Sequence, residues 1–300
     1  MRTARVITTS PGTRTEAFGL VEWSLLAGIG LMWGSSFIFV AEGLEAFEPG
    51  LVTLLRIALG TATVAIARRA RRPVAREDWG RIAVLGLVWM AAPLLLFPIA
   101  QQWIDSSLAG MLNGAMPLFA ALTAAVLLRR APRTVQVIGL VLGFTGVIAI
   151  AWPAVQGASV TALGAALVIL ATVFYGIAAN LTVPLQQKYG ALAVVLRAQL
   201  VALLAVLPFG LAALPGSSFQ WSSALAMVPL GVGGTGLAFL AMATLVGRAG
   251  ATRGAVAIYF IPVEATLLGV IVRDESVQLL QLGGLVLVLT SAWLTSRRDR

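Results

Sequence analysis

The sequence predicts an all-α membrane protein of ten transmembrane helices in two inverted five-helix repeats. Three observations carry that expectation: a composition too apolar for water, ten apolar runs each about as long as a bilayer is thick, and an order of landmark residues that recurs in the second half.

Of 300 residues, 59% are hydrophobic and 11% charged, where soluble domains have roughly 45–50% and 25%. A spanning helix needs ~20 mainly apolar residues, so ten of them would use about two-thirds of such a chain. The chain has no Cys and no His, which removes disulfides, thiolate metal sites and the commonest catalytic base. A zinc-protease HExxH, a GxSxG nucleophile elbow and an in-span aspartate pair are also missing, so an intramembrane enzyme is disfavoured. No cofactor is expected.

The apolar runs are 21–41, 51–67, 79–100, 107–128, 135–152, 161–182, 191–214, 222–246, 254–272 and 277–295, divided by Gly, Pro or charge. In hydrocarbon the backbone must satisfy its own hydrogen bonds, so each run is read as a helix. Residues 1–20 form a polar tail, 21–152 the first repeat, 161–295 the second, and 296–300 a C-terminal tail. The +9 charge would suggest nucleic acid only if the cations formed one patch. Instead Arg2, Arg5, Arg14, Arg68, Arg69, Arg71, Arg72, Arg76, Arg81, Arg129, Arg130, Arg133, Lys188, Arg248, Arg253, Arg297, Arg298 and Arg300 fall in alternate loops. The opposite loops carry Glu42, Glu45, Glu48, Asp105, Asp274 and Glu275, with Arg273 the one cation. Short cytoplasmic loops keep excess Lys and Arg. Both termini are therefore expected in the cytoplasm, the protein in the plasma (inner) membrane, and nucleic acid is not a partner. Trp23, Trp79, Trp103, Trp152, Trp221 and Trp293 fall at run ends, as interfacial aromatics do.

The repeat is read from matched landmarks. Trp33-Gly34 in the first run answers to Tyr175-Gly176 in the sixth, Arg56 to Arg197, Pro117 to Pro262 and Gly139 to Gly283, with intervening spacings of 23, 61 and 22 against 22, 65 and 21. Five spans per repeat is an odd number, so the second copy enters from the opposite side. That is the inverted arrangement of secondary transporters, whose site lies between the repeats near the midplane.

These residues resemble the drug/metabolite transporter superfamily, in particular its EamA-type ten-span permeases. The resemblance covers nearly the whole chain and rests on Trp33-Gly34-Ser35-Ser36-Phe37, Arg56, Pro117-Leu118-Phe119-Ala120-Ala121-Leu122 and Pro262-Val263-Glu264-Ala265-Thr266-Leu267-Leu268-Gly269. In the family each repeat usually carries a Gly-Glu pair thirteen residues past this proline; here the second repeat has Glu275 and the first has Arg130. The resemblance implies a carrier of small organic metabolites, often an exporter of amino acids, working by alternating access. A passive facilitator or lipid flippase would need the same bundle.

Ionisable residues inside a span default to function. Arg56 and Arg197 lie roughly 8–9 Å from a span end at helical rise, so either can snorkel or turn inward. Arg56 shares a helical face with Gly60 and Thr63, and turned inward it could hold a carboxylate. Glu264 lies about 15 Å deep, near the midplane, and is expected to face the cavity and bind a proton as coupling ion or a substrate amine. Trp33 and Tyr175 join it at mid-depth, with Trp89, Asn113 and Phe260 as further substrate contacts and Phe97 and Pro98 nearby. Pro93, Pro117 and Pro262 interrupt helical hydrogen bonding, and Gly233 and Gly236 lie in Gly231-Val232-Gly233-Gly234-Thr235-Gly236; these five are the expected hinges. That glycine string matches a dinucleotide fingerprint in letters only, since the motif works after a strand. The partners expected are thus a small-molecule substrate, the bilayer and a proton, with oligomeric state left open.

Overall fold

The computed structural model describes residues 19–128, 134–156, 159–249 and 255–296. Every regular element among them is helical. The chain runs through α1 (Leu20–Gly34), α2 (Ser36–Leu44), α3 (Pro49–Ala65), α4 (Trp79–Gly86), a π-helical turn (Leu87–Ala91), α5 (Ala92–Ala100), α6 (Ser106–Asn113), α7 (Met116–Leu128), α8 (Thr134–Gln156), α9 (Ser159–Tyr189) and α10 (Ala191–Ala212). It continues through α11 (Trp221–Val228), a second π-helical segment (Pro229–Leu237), α12 (Ala238–Ala249), α13 (Phe260–Arg273) and α14 (Leu279–Ser296). Short 3₁₀ turns occupy Arg68–Arg71, Arg76–Asp78 and Ala255–Tyr259.

Seven continuous helical stretches among the described residues are long and apolar enough to cross a membrane: Leu20–Leu44, Arg76–Ala100, Ser106–Leu127, Thr134–Gln156, Ser159–Tyr189, Ala191–Ala212 and Trp221–Ala249. Pro49–Ala65 and Leu279–Ser291 are shorter apolar helices, and α13 has 14 residues. The arginines at 2, 5, 14, 129, 130, 133, 253, 297, 298 and 300 and the Trp293 side chain lie outside the described residues.

The breaks inside these stretches have local causes. Between α1 and α2, Ser35 and Ser36 turn their hydroxyls back onto the carbonyls of Leu31 and Met32, at 2.7 and 2.6 Å, a contact that bends helices. Pro117 and Pro262 stand second in α7 and third in α13, where a missing N–H costs no intrahelical bond. Pro93 follows the first π-helical turn and Pro229 opens the second segment; a ring that would collide with the carbonyl four residues back is accommodated when the helix widens by one residue.

The packing is that of helices in lipid, with small residues facing inward. On α8, Gly139, Gly143 and Gly146 are buried against the bundle, while Ile138, Val141 and Ile148 stand outward, exposed by 51%, 61% and 60%. Such close backbone approach replaces the hydrophobic drive that lipid does not supply. The main pairings are α8 with α14, α3 with α10 and with the second π-helical segment, α6 with α13, and α9 with both α5 and α7. Of these helices, α3, α5, α6, α7, α9 and α13 contribute residues to the wall of a central cavity.

Candidate functional site

The cavity holds about 660 Å³ of space free of protein atoms, counting its mouth. Its wall is built from helical stripes whose residues recur at three- or four-residue steps, apart from the five-residue step from Trp89 to Leu94 across the π-helical turn. From α1 and α2 come Trp33, Ser36, Phe37 and Val40; from the π-helical turn and α5, Trp89, Leu94, Phe97 and Gln101; from α9, Tyr175, Ala179 and Thr182. Met242 and Val246 of α12, Asn113 at the end of α6 and Arg56 of α3 complete most of it.

The aromatic rings hold one another. Phe239 receives Trp33 and Trp89 edge-on, at centroid distances of 5.2 and 5.0 Å. Phe97 stacks on Tyr175 at 6.0 Å and meets Phe37 edge-on at 5.4 Å. Edge and offset contacts of this kind suit the ring quadrupole.

Arg56 does not snorkel. Only 3% of it is exposed, and its Nε–H donates to Thr235 Oγ1 at 3.2 Å. Thr235 belongs to the second π-helical segment and donates in turn to the Leu230 carbonyl five residues back, at 3.1 Å. Two further side chains bond carbonyls of this segment: Trp33 Nε1 donates to Gly234 O at 2.8 Å, and Gln199 Nε2 to Thr235 O at 2.7 Å. Gly60 lets α3 come close enough, since a Cβ there would lie 2.8 Å from the Thr235 methyl carbon and 3.0 Å from Gly236 N. The glycine string is thus a hydrogen-bonding hub for α1, α3 and α10.

Arg197 takes the other course. It donates to the carbonyls of Ala70 and Ala193, at 2.9 and 3.1 Å, and to that of Arg72. It holds the 3₁₀ turn at the arginine-rich end and does not line the cavity.

The structure thus brings Trp33, Arg56, Trp89, Asn113 and Tyr175 into one cavity. Glu264 and Phe260 are not in its wall. Glu264 is half-buried in the seam between α1 and α13, against Gly34, where an added Cβ would lie 2.5 Å from its Oε2. No hydrogen bond or ion pair joins its carboxyl to another described residue. Phe260 packs its Cβ against Gly30 and is 51% exposed. Pro93, Pro117, Pro262, Gly233 and Gly236 are not in the wall. Sequence reasoning missed Gln101, Ser36 and Thr182, yet the signal was present. Thr182 lies seven residues past Tyr175, and Ser36 three past Trp33, on the same helical faces.

Each end of the bundle has its own polar contacts. At the arginine-rich end Arg248 donates twice to buried Glu22, at 2.8 and 2.5 Å. Buried Asp78 there accepts from Lys188 at 2.7 Å and Tyr189 at 2.5 Å. At the acidic end Arg273 pairs with Glu45 at 2.7 Å and Glu42 at 3.6 Å. A second hollow, lined by Leu44, Glu45, Glu48 and Arg273, meets the cavity at Gln101, which lines both.

Glu275 caps α6 from a distance. Its carboxylate accepts from the backbone of Ser106 and Ser107, at 3.0 and 2.8 Å, and from the Ser106 hydroxyl at 2.6 Å. Partial burial pushes this carboxyl up, but the bonds from Ser106 and Ser107 outweigh it and hold Glu275 below the usual carboxylate range. Asp105 next to it is pushed up, by burial first and then by Glu275, with Arg273 opposing.

The model of the EamA-like transporter family matches residues 22–152 and again 162–297. A protein of Archaeoglobus fulgidus named "Uncharacterized transporter" is 24% identical, over 92% of this chain and 99% of its own. One of Streptantibioticus cattleyicolor named "Probable terminal-alkyne amino-acid exporter" is 27% identical, over 92% and 93%. A crystal structure sharing 19% identity superimposes with a TM-score of 0.65, over 91% of this chain and 95% of its own, a likeness of fold alone.

Proposed function

We propose, from the premise that this chain belongs to the EamA-like transporter family, that it is a secondary transporter exporting amino acids or related zwitterionic, amphipathic compounds. It works by alternating access in the plasma membrane with both termini in the cytoplasm, and a proton is its coupling ion. The observation that carries this reading is the central cavity, walled by aromatic rings and one buried arginine from both halves of the chain.

Two features support ten spans in inverted repeats. The π-helical segments begin at Leu87 and Pro229, 142 residues apart (229 − 87), the same offset as Trp33 to Tyr175 (175 − 33). Gly34 packs on Glu264, and its counterpart Gly176 packs on Phe119, the residue that the Pro117/Pro262 match sets opposite Glu264. Glu264 is the proposed proton carrier. Its unpartnered carboxyl sits in a seam that must shift when the halves rock, and wetting of that seam changes its protonation.

The test is counterflow in sealed proteoliposomes. Amino acid loaded inside should accelerate entry of labelled amino acid, and a proton gradient should drive net accumulation. Flux that ignores both would make the protein a passive facilitator, and lipid scrambling without amino-acid exchange would make it a flippase.

A further inference from the structure

The polar groups in the cavity wall are few, and three of them are occupied. Ser36 and Thr182 direct their hydroxyls to the carbonyls of Met32 and Ala178, and the Trp33 N–H is held by Gly234. Five side chains are left: Trp89 and Tyr175, whose N–H and hydroxyl sit on rings packed in the aromatic wall, and three with stronger hydrogen-bonding groups. Arg56 has spent its Nε–H on Thr235, and no other hydrogen bond or ion pair joins its guanidinium to a described residue. Asn113 is 6% exposed with Oδ1 buried and unpartnered, and Gln101 has both amide atoms buried and unpartnered. No Asp or Glu among the described residues lines the cavity.

A buried cation without an anion is costly, and so is an amide without a partner. A ligand that supplies both complements relieves both costs. On the transporter reading above, we infer that the cavity selects compounds carrying one carboxylate and no net positive charge. Arg56 takes the carboxylate through its two terminal nitrogens, as guanidinium forks do. Asn113 Oδ1, with Gln101, accepts from the ammonium group of a zwitterion. The two ends differ in kind. The carboxylate is met by a full charge, whereas the ammonium is met by neutral amide dipoles. Loss of the ammonium therefore costs only hydrogen bonds, about 10- to 100-fold in affinity for bonds to a charged group. Loss of the carboxylate costs the ion pair and leaves two cations facing each other in an apolar cavity. Amines lacking a carboxylate, and amino acids with a second cationic group, are excluded.

The experiment uses purified protein in nanodiscs and two matched sets of probes: leucine, 4-methylpentanoate and 3-methylbutylamine; phenylalanine, 3-phenylpropanoate and 2-phenylethylamine. Binding is read by calorimetry and counterflow is measured in parallel. The expected order in the skeleton that binds is amino acid, then carboxylic acid about 10- to 100-fold weaker, then amine without measurable binding. Asn113→Leu with Gln101→Leu should bring the amino acid down to the level of its deaminated partner and leave that partner unchanged, with either single substitution falling between. Arg56→Gln should abolish binding of both, and Arg56→Lys should restore part of it, which separates recognition from misfolding. An amine binding as tightly as its matched acid, or an order that survives Arg56→Gln, overturns the inference, as does binding by no member while other amino acids exchange. Absence of exchange by every amino acid overturns the transporter reading instead.

Discussion

Replacing Glu275 with alanine should lower the melting temperature by about 4–8 °C at neutral pH. Its carboxylate accepts three hydrogen bonds of 2.6–3.0 Å at the start of α6, a helix whose own N-cap residue, Asp105, makes no side-chain cap bond. Loss of a cap costs roughly 0.5–2 kcal/mol, and a negative charge at a helix N-terminus adds about 0.3–1 kcal/mol. For a group partly open to solvent about 2 kcal/mol in total is reasonable, and each kcal/mol moves the midpoint by roughly 2–4 °C in chains of this size class. The pH dependence has a definite sign. Glu275 is held below the usual carboxylate value, so its stabilisation is complete above that usual value and fades as pH falls through the folded one. Asp105 is pushed the other way and relieves a penalty as it takes up its proton, so the measurement belongs in an Asp105→Asn background. Differential scanning fluorimetry from pH 7 to 3.5 should show a wild-type advantage over Glu275→Gln that shrinks with acid. A constant advantage, or a Glu275→Ala shift below about 1 °C, would refute the capping argument.

Two further outcomes are expected. Because the chain lacks cysteine, a single Thr182→Cys reports on access from the arginine-rich end. If the contacts of Arg248 with Glu22 and of Asp78 with Lys188 hold that end shut, labelling of the cysteine by an impermeant maleimide should rise roughly threefold or more in Arg248→Gln or Asp78→Asn; unchanged labelling would show that these bridges do not gate. Glu264→Gln should leave the melting temperature within about 1 °C and flatten the pH dependence of transport, whereas a normal pH profile would leave the coupling proton without a carrier at this position.

How much of this was legible in the sequence depends on what kind of signal each feature leaves. A guanidinium in an apolar run is visible anywhere, and Arg56 shares its helical face with glycine and threonine, which turned that face inward. Trp33, Trp89, Asn113 and Tyr175 stood out for the same reason, as polar-tipped groups in apolar runs. Arg197 looked equivalent to Arg56 by repeat and by depth. Its course was decided by the carbonyls of Ala70 and Arg72, acceptors from a turn more than a hundred residues away that no local pattern encodes. Glu264 was visible as a carboxylate in an apolar run, but its rotation was not legible. Apolar residues surround it on every side of α13, and Val263 and Leu267 stand outward while Ala265 is buried, so periodicity could not tell cavity from seam.

The glycine string shows the same limit from the other side. Gly, Pro and Thr together announce an interruption, and close packing or a hinge was the natural expectation. What composition could not show is that widening the helix changes who uses its carbonyls. In an unbroken α-helix the carbonyls of Gly234 and Thr235 would be engaged along the chain; here they also accept from Trp33 and Gln199. The Thr235 hydroxyl is turned by the carbonyl five residues back so that it can receive Arg56. Both the charge and one aromatic wall of the cavity are therefore fixed to a register that exists only while this segment stays π-helical. A motion that tightened it to α would displace the Thr235 side chain by part of a turn and release Arg56 and Trp33 together. On the proposed transporter reading, a substrate held by Arg56 would bias the conformation of this helix and be biased by it, which is the kind of coupling that alternating access requires.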